Sequence, residues 1–167
     1  MKTAESFVDE AIPHEAGHIV VGMAVGMPIR GLAVHIIVSA QGKVIGDFAT
    51  ESVEPPDEEI LRIPPPVLKS YKLFLAGGLA GNKSAGIPAT DESLQNDRLK
   101  LARVGTESLE AVSEMAARII EKDRQKFERL RSLIRERFIA LMADTDIRTG
   151  RYAVISQGDL SDIFSTP

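Results

Sequence analysis

"IPHEAGHIVVG", residues 12–22, sets two histidines four apart, with a glutamate directly after the first, in a run that is otherwise apolar or small. Pro13 suits the first turn of a helix, where its missing N–H costs nothing, and Pro28 blocks continuation. The spacing therefore predicts a helix from Pro13 through HEAGHIVVGMAV to Gly26. Residues four apart on a helix lie about 40° apart in projection, so His14 and His18 share one face and can aim imidazole nitrogens at one ion. Glu15 is displaced from that line. It is too far round to compete as a third ligand, yet near enough to accept a proton from an attacking water, its role in zinc-dependent hydrolysis. The small Ala16 and Gly17 leave room for an ion or a packed neighbour. With 3 histidines and 14 glutamates among 167 residues, chance placement of H-E-x-x-H comes to roughly 0.004 per chain. A core helix with two hydrogen-bonded imidazoles is thus the weaker reading.

Catalytic zinc takes three protein ligands and keeps an open position. The chain has no cysteine, so the third ligand must be His, Asp or Glu. His35 alternates with the apolar Val34 and Ile36 in a strand close after the first helix and reads as an exposed strand residue. An acid from a downstream helix fits better. Asp91, Glu92, Asp97, Glu107 and Glu110 are the candidates, and spacing does not separate them.

Outward from the helix, "GLAVHIIVS" and "KVIGDFAT" flank "AQG" and read as a strand pair. The Pro- and acid-rich stretch over 53–66 reads as a solvated surface loop. "VLKSYKLFLAGGLA", residues 67–80, is a helix candidate whose glycines let another backbone approach, with "GNKSAGIPA" following as a loop. Thr90 and Asp91 open a further helix with cap-type residues. Apolar residues at three-or-four spacing from Thr106 to about Ala143 predict one or two amphipathic helices, with Asp123 marking a bend. "AVIS" is a short strand candidate, and Ser156 with Asp159 has capping-box spacing for a last helical turn.

Composition bounds the rest. A chain of 167 residues with 44% hydrophobic and 26% charged residues predicts one compact domain over 1–167. The net charge of −4 gives no positive field for nucleic acid or anionic lipid. The apolar stretch from Ile19 to Val38 is interrupted by Pro28, Arg30 and Gly31, which argues against membrane insertion. "MKTAESFVDE" lacks the order of a signal peptide, and a cysteine-free chain suits a reducing compartment, so a cytoplasmic location is expected.

"HEAGHIVVGMAVG" resembles the zinc-binding helix of the peptidase domain in the FtsH family of ATP-dependent metallopeptidases. "FLAGGLAG" is similar to that family's glycine- and alanine-rich helix, and "SLQNDRLKLARV" resembles its later helix, where an Asn-Asp pair supplies the third zinc ligand as aspartate. "FIALMADTDIRTG", followed by "VISQGDLSDIF", resembles the way the domain ends, so the likeness runs from about residue 10 to 164, with only HEAGH strict. The resemblance implies His14, His18 and Asp97 as zinc ligands and Glu15 as the base. "GNKSAGIPA" departs from the family, which places acidic residues there, and Pro13 stands where the family helix continues backward. Neither a P-loop pattern nor a membrane span accompanies the domain, although the family fuses it to both.

The expectation is a mainly α, zincin-like domain with an HExxH helix and a small β-hairpin. It would be a zinc metalloendopeptidase acting on peptides or unfolded protein, with unfolding left to a separate ATPase. The family's ring makes a homo-oligomer compatible, and the oligomeric state stays open. "GLAVHIIVS" is expected to receive an extended peptide by edge pairing. Tyr71, Tyr152 and His35 are the candidate oxyanion donors. The rivals are a catalytically silent zinc-binding regulatory module and a helical adaptor without metal. Retention of Glu15 argues against the first, because a fold-stabilising zinc has no use for a base and is closed by four side chains.

Overall fold

The computed structural model describes residues 4–165. Residues 1–3, the start of the segment read as lacking signal-peptide order, lie outside the described residues, as do 166 and 167. The chain is mainly helical, with a small three-stranded antiparallel sheet. Helix α1 spans Ala4–Ala24, β1 Ile29–Ser39, β2 Gly42–Ser52, α2 Pro65–Ala85 and α3 Asp91–Val104. They are followed by α4 Leu109–Lys122, α5 Arg124–Ala143, β3 Gly150–Ile155 and α6 Gln157–Phe164.

Helix α1 begins at Ala4, well ahead of the expected start at Pro13, and carries that proline inside it. Pro13 removes one i→i−4 hydrogen bond. Burial of Val8 and Ile12 on the preceding turns offsets this, each apolar side chain contributing about 1.5–3 kcal/mol. Helix α2 is also longer than its expected 67–80. It starts at Pro65, its first residue, and ends at Ala85, where Gly86 caps it in a left-handed conformation (φ 69°). The stretch 53–66 is therefore not all loop, since a 3-10 turn occupies Asp57–Arg62 and the last two prolines open α2.

Helices α1 and α2 cross at glycines. A Cβ on Gly17 would overlap the Gly77 carbonyl, and one on Gly81 would overlap the Pro13 carbonyl, so any side chain there would push the two backbones apart. The expected bend at Asp123 is a full break between α4 and α5. Leu109, Ala116, Phe127, Leu130, Ile134 and Phe138 of that stripe are buried in the core.

The sheet order is β2-β1-β3, all pairs antiparallel. Leu32, Val34 and Ile36 turn inward to the core, while His35 is exposed. The hairpin is as expected, but β1 is the central strand, with β2 on one side and β3 on the other. Both of its edges are occupied, which overturns the expectation that GLAVHIIVS receives a peptide. Among the described residues, no helix is long and apolar enough to cross a membrane.

Candidate metal centre

Three side chains from two helices converge beside the α1–α2 crossing. His14 and His18 come from consecutive turns of α1, and Asp97 comes from the second turn of α3. All three are buried. The two Nε2 atoms lie 3.1 Å apart, and Asp97 Oδ2 lies 3.3 Å from each. Among the described residues this is the one group of three or more such side chains close enough to share an ion.

The outer nitrogens fix the tautomers. His18 Nδ1 lies 2.8 Å from the Phe74 carbonyl, which accepts only, so Nδ1 carries a proton and in the neutral ring Nε2 carries the lone pair. His14 Nδ1 lies 3.1 Å from Asn82 Oδ1. The Asn82 amide is oriented by its own Nδ2, which donates to the Glu10 carbonyl at 2.9 Å. His14 therefore also donates from Nδ1 and turns a lone pair inward. Asp97 Oδ2 is buried without a hydrogen-bond partner. Two imidazole lone pairs and a carboxylate oxygen packed this closely repel one another unless a cation stands among them.

The spacing suits such a cation. Tetrahedral ligands about 2.0–2.1 Å from zinc stand roughly 3.3–3.4 Å apart, close to the observed 3.1 and 3.3 Å. Two imidazoles and one carboxylate form a donor set that could hold a metal ion. A proton on His18 Nε2 can take the place of that cation. Burial opposes charging of His18, yet the Asp97 carboxylate beside it raises its pKa to about 9. Burial would raise Asp97, but the charge on His18 and the two imidazoles beside it hold it well below the usual carboxylate range.

Glu15 lines the same cleft of about 320 Å³ as the three, with Lys100, Glu54 and Asn96. Its Oε2 accepts from the Thr50 backbone N–H at 3.1 Å and the Thr50 hydroxyl at 2.6 Å. Both bonds fall on one oxygen, so Oε1 is the atom left to the cleft. The other acids weighed as ligands are spent elsewhere. Asp91 and Glu110 pair with Arg98, Glu107 pairs with Lys72, and Glu92 is exposed.

Of the residues considered as oxyanion donors, His35 is exposed on β1, and Tyr152 is engaged with the Arg148 backbone. Tyr71 donates to Glu54 at 2.9 Å, and Lys100 reaches the other oxygen of Glu54 at 2.8 Å on the cleft wall. Burial and Glu54 push the Tyr71 pKa up, so its hydroxyl stays protonated.

Sequence reasoning did not find Asn82, Thr50, Glu54 or Lys100. Asn82 looked like a loop residue in a Gly, Asn and Ser run, yet it is fully buried on α2. Its place one turn beyond Gly78, which faces the His14 ring, was the available signal. No protein-family model matches the chain, and no curated protein matches it.

Proposed function

We propose that the protein is a zinc-dependent metallopeptidase of zincin-like architecture, similar to the peptidase domain of the FtsH family, that hydrolyses extended or unfolded polypeptides. One observation carries the reading: a base of the HExxH pattern shares a cleft with two imidazoles and a carboxylate whose lone pairs meet at one point. His14, His18 and Asp97 would hold the ion. Zinc in such a site supplies Lewis acidity toward water and the scissile carbonyl.

The remaining chemistry belongs to the chain. Glu15 Oε1 accepts the proton of the attacking water and returns it to the leaving amine. Thr50 keeps the carboxylate pointed into the cleft through Oε2. The peptide would lie along β2 rather than β1, because β2 is an edge strand of the sheet and contributes Asp47 to Thr50 to the cleft wall. Thr50 already turns its N–H away from β1 toward Glu15, and by the alternation of an antiparallel ladder Phe48 faces the same edge.

The test is hydrolysis of casein by the zinc-loaded protein beside Glu15→Gln, with zinc content measured for both. Cleavage lost in Glu15→Gln while zinc is retained supports the peptidase. Zinc bound by both with cleavage by neither moves the reading to a catalytically silent zinc-binding module.

A further inference from the structure

Glu10 stands one turn before His14 on the same face of α1, and its side chain is buried. Its Oε1 accepts from the Thr90 backbone N–H at 2.7 Å and from the Thr90 hydroxyl at 3.0 Å. Thr90 is the N-cap of α3, where its Oγ1 accepts from the Ser93 N–H at 3.3 Å. Asp97 follows two turns further along the same helix. The carboxylate thus pins the start of α3 to the helix that supplies both imidazoles.

The rest of α3 is held by apolar packing and by ion pairs. Only Leu94, Asp97, Leu101 and Val104 of it are buried. Its ion pairs to the rest of the chain are Arg98–Glu110 and Arg103–Asp57 at the surface and the half-buried Lys100–Glu54. Exposed pairs of this kind are screened by solvent and fix no direction. An apolar contact would hold two helices together at lower desolvation cost than a buried carboxylate. What the carboxylate supplies is a fixed direction, because one oxygen accepts two bonds from a single residue.

We propose that Glu10 is a positioning residue of the metal centre: through Thr90 it sets α3 so that Asp97 Oδ2 meets the Nε2 atoms of His14 and His18. The proposal rests on the metal-binding part of the reading above and is independent of peptidase activity.

The experiment measures zinc affinity by competition, and the visible absorption of the cobalt(II)-substituted protein, in wild type, Glu10→Ala, Glu10→Gln, Asp97→Asn and the double variant Glu10→Ala/Asp97→Asn. Folding is checked by circular dichroism in chelator. Glu10→Ala is expected to weaken zinc about 10–100-fold, the range for groups that orient ligands, and to change the cobalt spectrum. Glu10→Gln keeps an oxygen acceptor for Thr90 and is expected to stay within about threefold of wild type, well inside that range. With Asp97 already replaced, removing Glu10 should change affinity no further.

Unchanged affinity in Glu10→Ala overturns the proposal. So does a loss of equal size in both backgrounds, which marks a general structural role, or a Glu10→Gln as weak as Glu10→Ala. If Glu10→Ala does not fold, Thr90→Val, which removes the hydroxyl contact to Glu10 together with the cap bond from Ser93 N–H, takes its place in both backgrounds, with a loss confined to the Asp97-containing protein expected. A wild type that binds no zinc, or an Asp97→Asn that binds as tightly as wild type, overturns the metal centre and the proposal with it.

Discussion

Asn82 Oδ1 accepts the Nδ1 proton of His14 at 3.1 Å, and both side chains are buried. The bond does two things: it holds the imidazole plane, and it leaves Nε2 as the lone-pair nitrogen. Asn82→Leu removes the acceptor and strands the Nδ1–H in an apolar surrounding. Zinc affinity should fall about 10–100-fold, measured by competition with a chelating dye. Affinity equal to wild type would show that His14 orients itself without Asn82.

Gly78 makes space for the same ring. A Cβ there would overlap the His14 imidazole, which is pinned by Asn82 and by the α1–α2 crossing and has nowhere to yield. Gly78→Ala should therefore lower zinc affinity at least tenfold and destabilise the fold by about 1–3 kcal/mol through overpacking. Gly158→Ala is the control, since a Cβ at that position meets only Ser156 Oγ at ordinary contact distance. Equilibrium unfolding in urea and a zinc titration of both variants make the comparison.

Removing the ion should be felt by the whole fold. The three inward-facing atoms come from α1 and α3, so a cation among them ties those helices together. Zinc at 100 times its dissociation constant stabilises by about 2.7 kcal/mol, which corresponds to roughly 5–10 °C in Tm for a chain of this size. Thermal unfolding with and without EDTA should show that shift in wild type and not in Asp97→Asn. An EDTA shift of the same size in Asp97→Asn would mean that the ion sits elsewhere.

The features legible in the sequence are those with local causes. The break at Asp123, the Thr90 cap and the Ser156–Asp159 capping box are each written within four residues. The pairing of His14 with His18 follows from helix geometry alone. What was hidden depends on distant partners. Helix α1 runs back through Pro13 because Val8 and Ile12 find a core, and α2 runs past Gly81 because Asn82 is wanted inside the fold. β1 is central only because β3 arrives from the far end of the chain. Spacing left five acids open as the third partner. Burial decides for Asp97, the others having surface positions or surface cations.

Asp159 ties the last helix to the body of the fold and makes it acid-sensitive. Arg137 donates to both of its oxygens, the Nη2 bond measuring 2.8 Å, and the Ser156 N–H and hydroxyl donate to Oδ2 at 2.7 and 2.8 Å. The Arg137 bonds first, and then those from Ser156, hold this carboxyl well below its usual range. A pKa lower in the folded than in the unfolded state gives stability that is fully present above the unfolded value of about 3.9 and is lost as pH falls toward the depressed one. Asp159→Asn keeps the shape and removes the charge. At pH 7 it should be less stable than wild type by about 1 kcal/mol, because solvent at the partly exposed Arg137 screens the pair. That gap should close between pH 4 and pH 2, where the remaining carboxylates titrate in both proteins and cancel. Urea unfolding of the two proteins at pH 7, 4 and 2.5 measures it; a gap that stays constant with pH would assign the effect to lost packing rather than to the Asp159 charge.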